Sequence, residues 1–153
     1  MSVHIEGPFL EKAALCAPIL RSLSAWFGLE EAIVNYSSEI DQLPTLLAYE
    51  DEGIIGFLSL KQHTPYSAEI YVMGILPEAH RKGIGRGLVD QAQVWLKQGG
   101  VEYLQLKTLG PSYKDENYAK TRNFFEAMGF RPLEELKQIW DEHNPCLIMV
   151  KKL

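Results

Sequence analysis

The succession of apolar periodicities predicts an α/β domain, with helices packed on one mixed sheet that is antiparallel early and parallel where a helix crosses over. Three observations carry this. Strand-like runs rich in β-branched and aromatic residues follow one another across short turns between Thr45 and Leu76. The apolar period then changes from two to 3.6 at Gly83. Beyond it, helical and strand-like segments alternate, which is the order of a crossover-linked sheet.

Taken in order, Val3–Glu6 reads as a short strand. Leu10–Ser24 reads as a helix with Leu15, Ile19, Leu20 and Leu23 on one stripe. Pro18 lies inside it, and proline is tolerated only in a first turn, so the helix either starts near Cys16 or is kinked there. Leu29–Gln42 is a second helix, closed by Pro44. Strands follow at Thr45–Tyr49, Ile54–Lys61 and Ala68–Leu76, separated by turns at Glu50–Gly53 and around Thr64-Pro65-Tyr66. Gly83–Gln98 is a helix with Leu88, Val89, Ala92, Trp95 and Leu96 on its apolar face, stopped by Gly99-Gly100. Val101–Leu109 is a strand, Tyr118–Met128 a helix stopped by Gly129, and Pro145–Lys151 a strand.

Composition bounds the function. The 153 residues are 46% apolar and 23% charged, a globular balance that predicts one domain over residues 1–153. A net charge of −5 argues against a nucleic-acid partner, which draws on a basic footprint. No apolar run approaches the roughly 18 residues of a membrane span, and the first residues do not read as a secretory signal. Two cysteines, Cys16 and Cys146, make no disulfide framework, and no Cys/His cluster has zinc-ligand spacing, so a cytoplasmic protein without a metal is expected. Both cysteines and Trp95 read as core. His4, His63 and His143 share no ligand spacing. Trp26-Phe27, at a break between two helices, reads equally as core or as pocket wall.

The most specific segment is Leu76-Pro77-Glu78-Ala79-His80-Arg81-Lys82-Gly83-Ile84-Gly85-Arg86-Gly87-Leu88, between a strand and an amphipathic helix. Glycines let the backbone approach a ligand, and the helix beyond presents free N–H groups and its positive dipole end. Arg81, Lys82 and Arg86 add cations. It is not a dinucleotide fingerprint, because the third glycine comes one residue early, and it lacks the Gly-Lys-Ser/Thr of a Walker A loop. The bland alternative is a surface turn with solvated cations.

His80-Arg81-Lys82-Gly83-Ile84-Gly85 resembles the Gln/Arg-x-x-Gly-x-Gly/Ala signature of the GNAT superfamily of N-acetyltransferases, with His80 at the Gln/Arg position. Ile75-Leu76-Pro77 is similar to the Val-x-Pro that precedes it. Thr121-Arg122-Asn123-Phe124-Phe125-Glu126-Ala127-Met128-Gly129-Phe130 resembles the family's second motif, Ala-x-x-Leu/Phe-Tyr-Glu-x-x-Gly-Phe. The likeness runs from Thr45 to the C-terminal residue. It implies a mostly antiparallel sheet with a splayed parallel strand pair that holds acetyl-CoA. It further implies a cofactor site at Met73, Gly74, Ile75, His80, Arg81, Lys82, Gly83, Ile84, Gly85 and Arg86, with Phe125 lining the acyl pocket and Gly74 compatible with a strand bulge.

Acetyl transfer to an amine needs a base for the amine, polarisation of the thioester and a proton for the leaving thiolate. Glu69 is the base candidate. It stands fourteen residues before Gly83, and the resemblance to the histone acetyltransferase branch puts a glutamate base there. By period two it shares a strand face with Tyr71 and Met73. The other reading of Glu69 is an exposed cross-strand partner for a lysine. Phe125 stands where relatives carry a tyrosine and has no proton to give, so Tyr118, Tyr113, Tyr71 or water is left for the thiolate. The resulting expectation is direct transfer from acetyl-CoA to a primary amine of a small molecule or peptide. The acceptor region would comprise Trp26–Asp41, His63–Ser67 and Gly110–Asn117, with no membrane partner and with homodimer formation open. Glu30, Glu31, Glu39 and Asp41 fit a cationic acceptor or a solvated helix face. Two other readings are a non-catalytic acyl-CoA sensor, favoured by Phe125, and transfer of a longer acyl group such as succinyl.

Overall fold

Strand β3 (Gly53–Gln62) is buried over six consecutive residues, so the centre of its sheet must be covered on both faces. The computed structural model describes residues 3–23 and 30–153 and shows how this is met. Strands β1 (Val3–Phe9), β2 (Thr45–Glu50), β3, β4 (Ser67–Ile75), β5 (Tyr103–Leu109), β6 (Arg131–Asp141) and β7 (Asn144–Lys152) form one sheet in the order β1-β2-β3-β4-β5-β7-β6. All neighbours are antiparallel except β4 and β5. Among the described residues four helices flank it: α1 (Ala13–Ser22), α2 (Glu30–Ile40), α3 (Ile84–Gln98) and α4 (Glu116–Ala127).

Two apolar clusters result. On one face Leu88, Val89, Ala92 and Leu96 of α3 and Phe125 of α4 pack with Leu58, Leu60, Ala68, Ile70, Leu104 and Met149. On the other, Cys16, Ile19 and Leu20 of α1 and Ile33 and Ile40 of α2 cover Leu47, Phe57 and Val72. Polar contacts fix the helix ends. Asp41 Oδ1 accepts from the Ala13 N–H at 3.0 Å, which ties the start of α1 to the segment after α2. Lys151 Nζ donates to Met128 O at 2.7 Å beyond the C-terminus of α4, where a cation is favoured.

Three elements differ from expectation. Helix α1 begins at Ala13, and Pro18 lies within it as its sixth residue, so one intrahelical donor is missing there. Trp95 is 40% exposed and is not core. Strand β6 has no counterpart in the sequence reading, because its residues are exposed or half-buried along its whole length at the sheet edge and give no alternating pattern. That strand changes the topology. The hairpin from β6 returns β7 between β5 and β6, so the second helical crossover yields no parallel neighbour.

A Cβ added at Gly74 would lie 2.9 Å from Phe57 Cε1, 3.1 Å from Ile19 Cγ2 and 3.2 Å from Leu23 Cδ1. Gly74→Ala therefore overpacks the face beneath α1 and should lower stability by about 1–3 kcal/mol in denaturant unfolding.

Candidate active site

The site begins with an irregularity in β4. Its register against β3 passes from Val72↔Ser59 to Ile70↔Leu60, so Tyr71 is an extra residue, a bulge. A bulge inverts the alternation. Ala68 and Ile70 pack beneath α3, Tyr71 and Val72 pack towards α1 and α2, and Met73 and Ile75 turn back towards α3. Met73 therefore does not share a face with Tyr71, as strict period two predicts. Gly74 is not the bulge either, since it pairs in register with Phe57.

Parallel pairing with β5 stops at the same place. The last pair is Ile70↔Leu106, yet β4 runs on to Ile75 and β5 to Leu109, so the two strands part beyond it. The bond from Leu76 N–H to Ile55 O, 2.9 Å, sets the hydrogen-bond phase. By alternation, the backbone groups of Val72 and Gly74 face β3, and those of Met73 and Ile75 face the opening. His80 Nε2 donates to Ile75 O at 2.8 Å, tying the glycine turn to the end of β4.

That turn is shaped by two left-handed residues, Arg81 (φ 66°) and Gly83 (φ 78°). Gly83 caps α3 without a side-chain bond. The first backbone bond runs from Gly87 N–H to Gly83 O at 3.0 Å, leaving the amides of Ile84, Gly85 and Arg86 without intrahelical partners. Arg81, Lys82 and Arg86 are exposed around them, with Lys82 Nζ 3.9 Å from Glu50 Oε2. This is an anion-binding arrangement of donors and charge. Gly85 also allows close packing, because a Cβ there would come within 3.1 Å of Ile75 Cδ1 and of Phe124 Cζ. Phe124 is thus the ring beside this helix start. Phe125 is 5% exposed, edge-to-face with both Phe124 and Phe130 in the core.

Glu69 is only 4% exposed, so it is not a solvated cross-strand residue. Its Oε1 accepts from His63 Nε2 at 2.7 Å and from Lys107 Nζ at 2.9 Å. A carboxylate buried alone would be strongly destabilising, and the ammonium from β5 offsets that. Tyr36 and Tyr71 lie beside it, and Tyr118 lies beside Tyr36. Tyr36 of α2 meets Tyr71 edge-on with ring centroids 5.8 Å apart. Burial foremost, then Glu39 and Tyr36, pushes the Tyr71 phenol up to about 12. Burial, then Tyr36 and Asp115, pushes Tyr118 up to about 12. Burial and Glu69 raise Tyr36 as well. Tyr118, placed by the Asp115 cap of α4, is therefore within electrostatic reach of the same group. Lys61 lies 5.4 Å over the Tyr71 ring and 3.7 Å from Glu39.

The structure brings Glu69, Tyr71 and Tyr118 into one region and Met73, Ile75 and residues 80–86 into another, on either side of the opening. Tyr36 and His63 fall inside the expected acceptor segments Trp26–Asp41 and His63–Ser67 without being singled out there, and Lys107 and Phe124 were not legible as members. His63 gave one signal, its place in the short turn that ends at Ser67, where its N–H meets Ser67 O at 2.9 Å. Of the acidic residues on and after α2, Glu30 pairs with Arg21 at 2.7 Å and Asp41 caps α1, which accounts for both structurally. Trp26 and Phe27 lie outside the described residues. Among the described residues no group of three His, Cys, Asp or Glu side chains is placed to hold a metal, and no helix is long and apolar enough to cross a membrane.

A bulged strand parting from its parallel neighbour, beside a glycine-capped helix start, defines the acetyltransferase fold of the GNAT class. A family model described as acetyltransferase (GNAT) domain matches residues 41–132, and the chain belongs to that family. It is 32% identical over 83 residues to a mycothiol acetyltransferase of Beutenbergia cavernae, a match covering 54% of this chain and 26% of that protein. The chain thus spans about a quarter of that relative. A GNAT-family protein from Desulfovibrio desulfuricans superposes with a TM-score of 0.86 at 20% identity over 99% of both chains. PaiA N-acetyltransferase of Thermoplasma acidophilum, solved with coenzyme A, gives 0.77 at 21% identity over 100% of both. At such identities these two structures establish likeness of fold.

Because folded Tyr118 holds its proton to about 12, the unfolded chain releases protons first as pH rises above the ordinary phenol value near 10. Stability should therefore fall between roughly pH 10 and 12. In Tyr118→Phe the decline should be shallower, by somewhat less than about 1.4 kcal/mol per pH unit because the ring is only half buried. Urea unfolding at pH 9 and 11.5 measures the difference.

Proposed function

We propose that the protein transfers an acetyl group from acetyl-CoA directly to the primary amine of a small molecule or peptide. One observation carries the reading: the β4–β5 opening has an anion-binding helix start on one side and a buried, ion-paired carboxylate on the other. The residues present suit the cosubstrate. The amides of Ile84, Gly85 and Arg86, with Arg81, Lys82 and Gly83 around them, would hold the pyrophosphate, and His80 would keep the turn in place. The backbone groups of Met73 and Ile75 would receive the pantetheine arm and the acetyl carbonyl, with Gly74 packing the strand closely beneath α1. Phe125 would support this wall from the core through Phe124. The names of the mycothiol acetyltransferase and of the coenzyme A-bound PaiA structure favour the same chemistry.

Bound acetyl-CoA supplies the thioester. Glu69 takes one proton from the acceptor's ammonium, which frees the nitrogen lone pair for the carbonyl carbon. A backbone N–H in the opening stabilises the oxyanion as the C–N bond forms. As the C–S bond breaks, the second proton lost by nitrogen goes to the thiolate. Tyr118, protonated at any working pH, can donate to it and recover a proton from the nitrogen, while Tyr71 lines the acceptor's approach. Glu69 returns its proton to water. Acetyl-CoA and free thiols such as Cys16 and Cys146 suit the cytoplasm.

The deciding assay is thiol release from acetyl-CoA with 1,5-diaminopentane, glucosamine or an alanine-terminated peptide. Turnover with at least one supports the reading; coenzyme A binding without turnover of any favours a sensor. Glu69→Gln should lower kcat/KM by about 10²-fold and leave coenzyme A affinity unchanged. Gly85→Asp is a poor probe of the phosphate site because it also disturbs the Ile75 and Phe124 packing. Arg81→Ala with Arg86→Ala should instead weaken coenzyme A binding in calorimetry, most at low salt, where unscreened attraction contributes most.

A further inference from the structure

His63 and Lys107 bond the same oxygen of Glu69, Oε1, at 2.7 and 2.9 Å. No described residue bonds Oε2, so that oxygen is the one left for an incoming ammonium. Lys107 already supplies one positive charge against one buried negative charge. We infer that His63 is a positioning residue that sets the pH range of the reaction: neutral, it aims Glu69 at the acceptor, and protonated, it disables Glu69 as a base. The inference rests on the reading of Glu69 as that base.

The electrostatics follow from the geometry. Neutral His63 donates its Nε2–H to Oε1 and holds the carboxylate in one rotamer without adding charge. Imidazolium in the same place puts a second cation 2.7 Å from that oxygen. The carboxylate then gives up less by staying ionised and accepts a substrate proton less readily. A cationic acceptor also meets more repulsion. The His63 side chain is 33% exposed and Glu69 5%, so the imidazole can exchange protons with water while the carboxylate cannot do so freely.

The surroundings hold no rival switch among the described residues. From β3, Lys61 is engaged with Glu39 and the Tyr71 ring. From β5 come Gln105, opposite Glu69, and Lys107. Tyr36 of α2, Tyr71 of β4 and Tyr118 of α4 all have raised phenols. The Cys146 thiol of β7 is raised by burial, with Lys107 opposing and Glu69 reinforcing. Imidazole is the side chain in this set that ordinarily changes charge between about pH 5 and 8.

The test compares kcat/KM from pH 5 to 9, with acetyl-CoA and the fastest of the three amines above, in wild type and three variants. His63→Gln keeps an N–H donor but cannot titrate. The ratio of its pH 5.5 rate to its pH 8 rate should exceed the wild-type ratio about fivefold, because the part of the acid limb that His63 contributes is gone. His63→Lys imposes a permanent cation and should bring the pH 8 rate down to the wild-type value at acid pH. Acid limbs that superimpose in wild type and His63→Gln, or an unimpaired His63→Lys at pH 8, would overturn the inference. Glu69→Gln separates the two levels. If it retains wild-type turnover, the base assignment is wrong; if it is inactive while both His63 variants behave as wild type, only the role of His63 fails. Thermal unfolding of each variant identifies any loss that comes from misfolding.

Discussion

Parallel pairing of β4 with β5 covers Ser67 to Ile70 and then stops, and the use of the molecule depends on where it stops. A sheet that stayed paired would have no backbone groups to offer a ligand. The bulge at Tyr71 provides the break, since an extra residue increases local twist and ends regular pairing. The strand edge so bared is not a liability, because it faces inward between two covered halves of the sheet. On one side stands α3 with its unpartnered amides; on the other stand Glu69 and the tyrosines.

The same break governs the electrostatics. Lys107 is the first residue of β5 beyond the last parallel pair, and it reaches back to Glu69. A charge pair thus closes the end of the opening at which hydrogen bonds resume. Removing Lys107 would leave Glu69 buried and unbalanced, so the pair has a structural role. Phenols that hold their protons surround it, which keeps further negative charge away from the carboxylate.

Much of this was legible in the sequence where local physics decides the outcome. The glycine turn, the amphipathic α3 and the antiparallel run β2–β4 follow from backbone freedom, a 3.6 period and short turns, and all three are present. The position of Glu69 on β4 was legible too, though not its burial, because no local pattern reports what a neighbouring strand delivers. Lys107 lies 38 residues further along the chain, and only the parallel register brings it near. The position of the bulge, at Tyr71 and not Gly74, escaped for a related reason: β-branched and aromatic residues continue through it without interruption, and its mark is in pairing with β3. Strand β6 escaped because an edge strand buries little on either face, so burial did not shape its composition.

Strand β7 lies between β5 and β6 yet follows both in the chain. A ribosome therefore delivers the two flanking strands before the one that joins them. Until residues 144–152 emerge, β5 has a bare outer edge and β6 has no sheet to attach to. The nascent chain can form the antiparallel half early, but the part that contains Lys107 gains its second neighbour last. Cys146 pairs with Leu109 in that final step, a loop closure whose entropy must be met before the sheet is continuous. Nascent chains held before this point would expose strand edges suited to holdase capture or to pairing with one another.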